Sequence, residues 1–559
     1  MLESGYMKKD VEALLVSALR DLGIEEKPTV EYTDDFSHGE MTTNIAMVSS
    51  KDRGENPIDL ANSIISKIEK SDILEKVEVA GPGFINFFLA DEFVARYISS
   101  IDSSVGKTDT HKGKTIIVEH SSPNLFKPFH IGHVMNNAIG ESIVRLSEYS
   151  GAYVKRLSFP SDVSIGIGKA VWSLLEKGVE NLDRLSSTKE KLDFLGQCYV
   201  DGVKAFEENE NVQEKVKEIT RKIFQKEEGE EYEAYKKGKD LNLEYFINET
   251  KKLGSTFDDF IYESEAGEEG KKIVLEHPEV FVESEGAIIY KGEEDGLHTR
   301  VFINSEGYPT YEAKDIGLLS LKFKKYNPDI SVVITDHEQT SHFDVVLSAA
   351  GKIDKDWKEK TIHRTHGRMT LRGKKMSSRE GGVPIASDVL ETLIQDIASL
   401  GKDTSSSEDI AISALKFAIL RVVSGKNINF DPDKSLSFEG DSGPYIQYTY
   451  ARSMSLLRNA KEAGYKPGEK LSSTKVSSLE KTMISFDHVV GRSIEEWAPH
   501  YITTYLLSLC REFNSWYASK KIIDESNQDI ENDLLIAEKT TFILKNGLYL
   551  LGIKSPEVM

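Results

Sequence analysis

The sequence predicts a multidomain α/β protein: a small α/β module, a parallel-sheet domain interrupted by a helical insertion, and an all-helical region. Three observations predict it. At 559 residues the chain exceeds what one hydrophobic core can serve. The apolar run Ile116-Ile117-Val118 passes through Pro123-Asn124-Leu125-Phe126-Lys127-Pro128-Phe129-His130-Ile131-Gly132-His133 into a helical pattern carrying Val134, Ile139, Ile143, Val144 and Leu146. Such a strand–turn–helix aims backbone N–H groups at a bound phosphate. Beyond Ala386 only helical periodicity remains, over 411–423, 444–457, 501–516 and 534–551.

In chain order, Asp10 can cap a helix whose apolar face is Val11, Leu14, Leu15, Ala18, Leu19 and Leu22, ended by Gly23. Val77-Glu78-Val79-Ala80 and Phe84-Ile85-Asn86-Phe87-Phe88 read as short strands around the turn Gly81-Pro82-Gly83. Residues 1–108 are therefore expected to form the first module, its polar end at 102–110 being a linker. The nucleotide-binding domain is expected over 109–385, its first strand at 115–119. A charged, mostly helical insertion without βαβ rhythm occupies about 165–300, strand character resumes at 299–304, and Val332-Val333-Ile334 is a buried strand. Residues 386–559 form the expected helical domain.

An apolar share of 39% with 29% charged residues is ordinary for a soluble globular protein. No apolar run approaches the ~18 residues that span a bilayer, and the N-terminus lacks the apolar core of a signal peptide. Cys198 and Cys510 lie in unrelated segments, which excludes a disulfide framework and a four-cysteine zinc site. The chain is cytoplasmic in character. A net charge of −22 argues against indiscriminate nucleic-acid binding. A specific RNA partner stays open, because 361–379 carries Arg364, Arg368, Arg372, Lys374, Lys375 and Arg379 with no acidic residue.

Two histidines flank Ile131-Gly132 where a polyphosphate would lie, and Gly132, lacking Cβ, lets a nucleotide approach the backbone. In isolation the same residues read as a helix cap. A metal site at His120, His130 and His133 is the other rival, with no cysteine or paired carboxylate at ligand spacing beside it.

His130-Ile131-Gly132-His133 resembles the HIGH signature of class I aminoacyl-tRNA synthetases. Lys374-Lys375-Met376-Ser377-Ser378-Arg379 resembles the KMSKS loop of that class, in the right order along the chain. The resemblance narrows to the arginyl-tRNA synthetase family. It rests on Phe36–Ala46 with Ala80–Phe87, on Glu119-His120-Ser121-Ser122-Pro123-Asn124, on Phe438–Tyr448 and on the C-terminal Leu551–Met559, where Val558 stands in place of the arginine common in the family.

That resemblance implies a Rossmann-type catalytic domain between an N-terminal tRNA-binding domain and a C-terminal anticodon-binding bundle. It also implies ATP-dependent activation of L-arginine and its transfer to the 3′ end of tRNA(Arg). By resemblance, His130, His133 and Lys375 are catalytic, and Lys127, His130, Gly132, His133, Met376, Ser377 and Arg379 bind ATP. Arginine falls to Glu119, Ser121, Asn124, Tyr311, Asp315 and Gln339, and Asn86 is the tRNA contact. Physically, a guanidinium calls for carboxylate oxygens that match its paired N–H groups. Glu119 ends a strand beside the nucleotide turn, where doubly wound sheets place ligands. Tyr311 and Asp315, four apart, share a helix face, although the same spacing describes an ordinary surface pair. Phe84 and Phe87 beside Asn86 suit an unstacked base or, equally, a core.

Attack of a carboxylate on the α-phosphate builds charge that cationic and N–H donors stabilise. Magnesium is expected to offset the rest, with no protein ligand evident, and a monomer without membrane association is expected. Ser378 stands where the KMSKS pattern has its second lysine: either Lys374, Lys375 and Arg379 replace that charge, or activation depends on bound tRNA, as the family resemblance implies. A class I enzyme for cysteine or glutamate and a silent tRNA-binding paralogue are the alternatives. The lack of zinc-type cysteines, the acidic pocket residues and the intact His130, Gly132, His133 and Lys375 weigh against them.

Overall fold

The computed structural model describes residues 7–33, 35–371, 384–399, 404–472 and 475–559. Chain order begins with α1 (Met7–Asp21), β1 (Val30–Tyr32), β2 (Met41–Thr43), α2 (Ile45–Arg53), α3 (Pro57–Lys67), β3 (Leu74–Ala80), β4 (Phe84–Leu89) and α4 (Asp91–Ser100). α1 buries Val11, Leu15, Ala18 and Leu19, as the periodicity predicts. Asn56 caps α3 ahead of Pro57, whose fixed φ suits a first helical turn. The four strands form an antiparallel sheet in the order β1-β2-β4-β3. The β3–β4 turn needs glycine at Gly83, where φ is +124° and a Cβ would meet Pro57.

Next come β5 (Thr115–Glu119), α5 (Ile131–Tyr149), β6 (Tyr153–Ser158), α6 (Ile165–Lys177), α7 (Asn181–Arg184), α8 (Thr188–Glu208), α9 (Glu210–Phe224), α10 (Glu230–Lys252), β7 (Asp259–Phe260) and α11 (Glu263–Glu276). They are followed by β8 (Val282–Ser284), β9 (Ala287–Tyr290), β10 (Arg300–Ile303), α12 (Tyr311–Tyr326), β11 (Ile330–Asp336), α13 (Thr340–Ile353), α14 (Lys355–Glu359), β12 (Thr361–His366) and β13 (Met369–Leu371). The parallel sheet runs β12-β11-β5-β6-β7. The chain winds one way through β5, β6 and β7 and the other way through β11 and β12. Strand order therefore reverses between β5 and β11, and a crevice opens at their carboxyl ends.

Within the expected insertion the structure adds β7, the edge strand of this sheet, and the antiparallel sheet β10-β9-β8. β7 is two residues long, too short for a periodic signal. The strand expected at 299–304 is β10, which pairs in the antiparallel sheet and not in the parallel one.

α15 (Ala386–Ser399), α16 (Thr404–Leu420), β14 (Ile428–Phe430) and α17 (Pro432–Ser435) lead to α18 (Gly443–Glu462), α19 (Ser478–Met483), α20 (Phe486–Glu495), α21 (His500–Ala518) and α22 (Ile530–Leu550). The chain divides into two compact units: Met1–Asp109 with Ser437–Met559, and Thr110–Leu436. The second unit thus runs beyond residue 385, because α15 and α16 pack on α5 and β14 pairs with β13. In the first unit the segment read as a linker is pinned. Asp487 accepts hydrogen bonds from the Gly106 amide at 2.8 Å and the Tyr97 hydroxyl at 2.6 Å, and Asn546 donates to the Ser103 and Val105 carbonyls.

α12, which carries Tyr311 and Asp315, lies close against α11 because small residues face each other. A Cβ on Gly270 would overlap the Ala313 carbonyl, and one on Gly317 the Ala266 carbonyl. Gly317→Ala should lower the unfolding free energy by about 1–3 kcal/mol through overpacking. This exceeds the helix-propensity gain of up to ~1 kcal/mol, because both clashing groups are backbone. Urea denaturation checks it, and a stabilised variant would contradict the contact.

Candidate active site

The loop after β5 is held in a conformation its residues do not favour. Ser121 (φ +56°) and Phe126 (φ +62°) are left-handed without being glycine, a cost of about 1–3 kcal/mol each that persists only where surroundings enforce it. They do here. The Ser121 amide donates to Asn136 Oδ1 at 2.6 Å, its hydroxyl accepts from Asn137 at 3.1 Å, and its carbonyl accepts from Ser158 at 3.0 Å. Asn136 also donates to the Ile334 carbonyl of β11 at 2.7 Å. The Ser161 amide and carbonyl bond the loop at Pro123 and Leu125. Asn124 and Lys127 remain exposed, while Ser121 is buried.

At the start of α5 the histidines cap the helix reciprocally. His130 Nδ1 accepts from the Gly132 amide at 3.2 Å, and His133 Nδ1 accepts from the His130 amide at 3.1 Å. The rings stack with centroids 3.8 Å apart, and His133 also stacks on Phe129. Burial pushes His133 down to about 3, assisted by His130 and Lys127, and burial also lowers His130. Both rings are thus neutral near pH 7. With each Nδ1 accepting, the ring proton sits on Nε2, so each histidine keeps one N–H donor. The cap thus uses Nδ1 of each ring and leaves Nε2–H over. Asn124, Lys127 and His133 line one side of a cleft, with Asn242, Tyr245 and Phe246 of α10 on the other. Those α10 residues were invisible in the sequence, lying in a charged helical insertion without a motif.

The acidic residues sit in a web of cations. Glu119, buried at the end of β5, accepts from Lys322 at 2.7 Å. Burial raises its pKa, Lys322 pulls it down, and Asp315 raises it again. Asp315 accepts from His342 Nε2 at 2.5 Å, and Glu312 lies 3.5 Å from His342 Nδ1. Against the opposing pull of burial, these two carboxylates lift His342 to about 9. Glu263 pairs with Lys314 at 2.8 Å. Tyr311 is 64% exposed, with the Lys314 ammonium 5.1 Å from its ring centroid. Gln339 is exposed at the turn preceding α13. Tyr311 and Asp315 are therefore not an equivalent surface pair: the tyrosine is open and the carboxylate is engaged.

His120 is enclosed beneath the loop, with Nδ1 2.9 Å from the Ser121 hydroxyl. Among the described residues no group of three His, Cys, Asp or Glu side chains gathers as a metal site. In the other unit, Asn86 is buried and its carbonyl accepts from Thr42 at 2.7 Å; Phe87 is core and Phe84 is exposed. Lys375, Met376, Ser377 and Arg379, with Ser378 between them, lie outside the described residues. No helix among those described is long and apolar enough to cross a membrane.

Three family models match the chain. The catalytic domain of class I tRNA synthetases of the arginine type covers residues 97–415, more than half of the chain. The DALR anticodon binding domain covers 446–559, and the arginyl tRNA synthetase N-terminal domain covers 8–89. An arginine–tRNA ligase of Clostridium kluyveri is 30% identical over 530 residues, covering 89% of this chain and 91% of that protein. One of Fusobacterium nucleatum is 28% identical over 543 residues, covering 94% of each. The fold matches Thermus thermophilus arginyl-tRNA synthetase with a TM-score of 0.82 at 22% identity over 100% of both chains.

His342 makes stability depend on pH. Its folded value of about 9 lies above the ordinary 6.5. The contribution is therefore complete below about pH 6.5 and lost as pH rises through about 9, roughly 3 kcal/mol at most. The unfolding free-energy gap between wild type and His342→Gln should shrink from about pH 6 to about pH 9.5. A gap that stays constant would mean the imidazole is neutral in the fold.

Proposed function

We infer the reaction from one premise: the chain belongs to the arginyl-tRNA synthetase family and is an arginine–tRNA ligase. In the activation step the arginine carboxylate attacks the α-phosphate of ATP, pyrophosphate leaves, and arginyl-adenylate forms. A terminal ribose hydroxyl of tRNA(Arg) then attacks the activated carbonyl and AMP leaves. The observation that carries this reading is the common location of two chemistries at the carboxyl end of β5. The strand ends in Glu119, and its loop delivers the His130–His133 cap.

Each residue then has a task. The Nε2–H groups of His130 and His133 donate to phosphate oxygens as charge builds, and the Gly132 backbone admits the nucleotide. Lys127 sits exposed at the same loop, ready to meet phosphate. Lys375 and Arg379 hold the pyrophosphate side, with Met376 and Ser377 beside the nucleotide. Glu119 and Asp315 balance the guanidinium. Ser121, Asn124, Tyr311 and Gln339 serve the remaining polar groups of arginine, and the exposed ring of Tyr311 can close over the ligand. The DALR domain reads the anticodon arm. The first module touches the outer part of the tRNA, where exposed Phe84 is better placed to meet a base than Asn86, whose carbonyl Thr42 holds. Magnesium enters the proposal as the counter-ion of ATP, with no side chain assigned to it. Both cysteines are buried and free, in keeping with a reducing cytoplasm. We retain the expectation of a monomer.

Aminoacylation assays with bulk tRNA and each of the twenty amino acids should show charging with arginine alone; charging with another amino acid would overturn the assignment. His130→Ala and His133→Ala should each lower kcat by roughly 10²-fold while arginine KM stays near wild type. Unchanged turnover in both would leave these histidines as helix caps only.

A further inference from the structure

The carboxylates assigned to arginine each have one oxygen already engaged. Glu119 gives Oε2 to Lys322 at 2.7 Å, with side chains 7% and 1% exposed. Asp315 gives Oδ2 to His342 at 2.5 Å. α12 organises this arrangement, because Tyr311, Asp315 and Lys322 recur at spacings of four and seven and so share one face.

We propose that Lys322 and His342 are positioning residues for arginine, each bracing one carboxylate so that the guanidinium takes the remaining oxygen of Glu119 and of Asp315. This rests on the arginine pocket of the preceding subsection. A carboxylate has two oxygens; one spent on an interior cation fixes its orientation, and the other faces the substrate. The guanidinium fork then spans two carboxylates and does not sit bidentately on one. Bracing before binding also removes the cost of ordering these side chains when arginine arrives.

Lys322 has a second effect. A buried glutamate beside another carboxylate tends to take up a proton, and a neutral Glu119 would not balance a guanidinium. The groups facing Glu119 are Lys322 and Asp315, both on α12. Those facing His342 are Asp315 and Glu312 of α12 and His363 of β12, with Arg300 of β10 3.7 Å behind Glu312. Burial lowers His363 to about 4, so it stays neutral while His342 is charged.

The test is aminoacylation kinetics on the full chain for wild type, Lys322→Met, Lys322→Arg, His342→Gln and Glu119→Gln, between about pH 6 and pH 8.5. Lys322→Met should raise arginine KM about tenfold or more, with ATP KM within about twofold. The rise should be larger at low pH, where unbraced Glu119 is protonated, and Lys322→Arg should recover most of it. A lysine with only a structural role would produce neither the split between KM values nor the pH slope. Wild-type arginine KM in Lys322→Met, or a raised KM that is flat with pH, overturns the proposal. If Glu119→Gln raises arginine KM and Lys322→Met does not, bracing alone fails; if Glu119→Gln has no effect, the pocket reading fails with it. Should Lys322→Met not fold, His342→Gln carries the test: a raised arginine KM supports bracing and a wild-type value refutes it.

Discussion

Asn136 is one turn inside α5 and holds the crevice together. Its carbonyl accepts the Ser121 amide just after β5, and its amide donates to the Ile334 carbonyl of β11. Those two strands are the ones between which strand order reverses, so one side chain ties both rims of the crevice to the helix that closes it. The left-handed backbone at Ser121 exists because this bond, with those of Asn137 and Ser158, outweighs its strain. From that turn follow the exposure of Asn124 and Lys127 and the start of α5 at His130. The Nε2–H groups of His130 and His133 therefore depend on a hydrogen bond made six and three residues further along the chain, at Asn136.

Charge in the crevice follows burial and partnership. His133 and His342 are the same residue type with opposite outcomes. His133 stacks between His130 and Phe129 with no carboxylate, and is driven to about 3; His342 lies between Asp315 and Glu312, and is lifted to about 9. One is a neutral hydrogen-bond donor and the other a fixed cation. Lys322 and Lys314 are each consumed by a glutamate. An acidic pocket can be built inside a protein only when most of its charge is cancelled from behind.

The close pairing of α11 and α12 gives this arrangement its geometry. Ala266 and Gly270 meet Ala313 and Gly317 backbone to backbone, which lets Lys314 reach Glu263 from one helix to the other. The same helix carries Tyr311 at its exposed start and buried Lys322 in its last third. Side-chain size at Ala266, Gly270, Ala313 and Gly317 thereby sets where the carboxylates of these helices stand.

Local signals were readable from the residues: the strand at Thr115–Glu119, the cap at His130, the helical faces of the last region and the core strand around Val333 all recur as periodicity or turn chemistry. Motif spacing carried the pairing of the His130 region with the basic stretch around Lys375, and the family with it. Other features had no local trace. β7 is two residues that become a strand only because β6 offers an open edge. Lys322 and His342 look like any lysine and histidine of a helix until folding brings them against Glu119 and Asp315. Asn242 and Tyr245 enter the cleft because α10 folds back over the loop. The sequence by itself determined the strand at Thr115–Glu119, the helix entered at His130 and the chemistry the chain carries, because these are written in residue types at short range and in motif spacing. Which charges are cancelled, and which polar groups face the crevice, only the tertiary structure decided, because burial and pairing bring together residues as far apart as Glu119 and Lys322, 203 positions along the chain, and even the 27 between Asp315 and His342 exceed local periodicity.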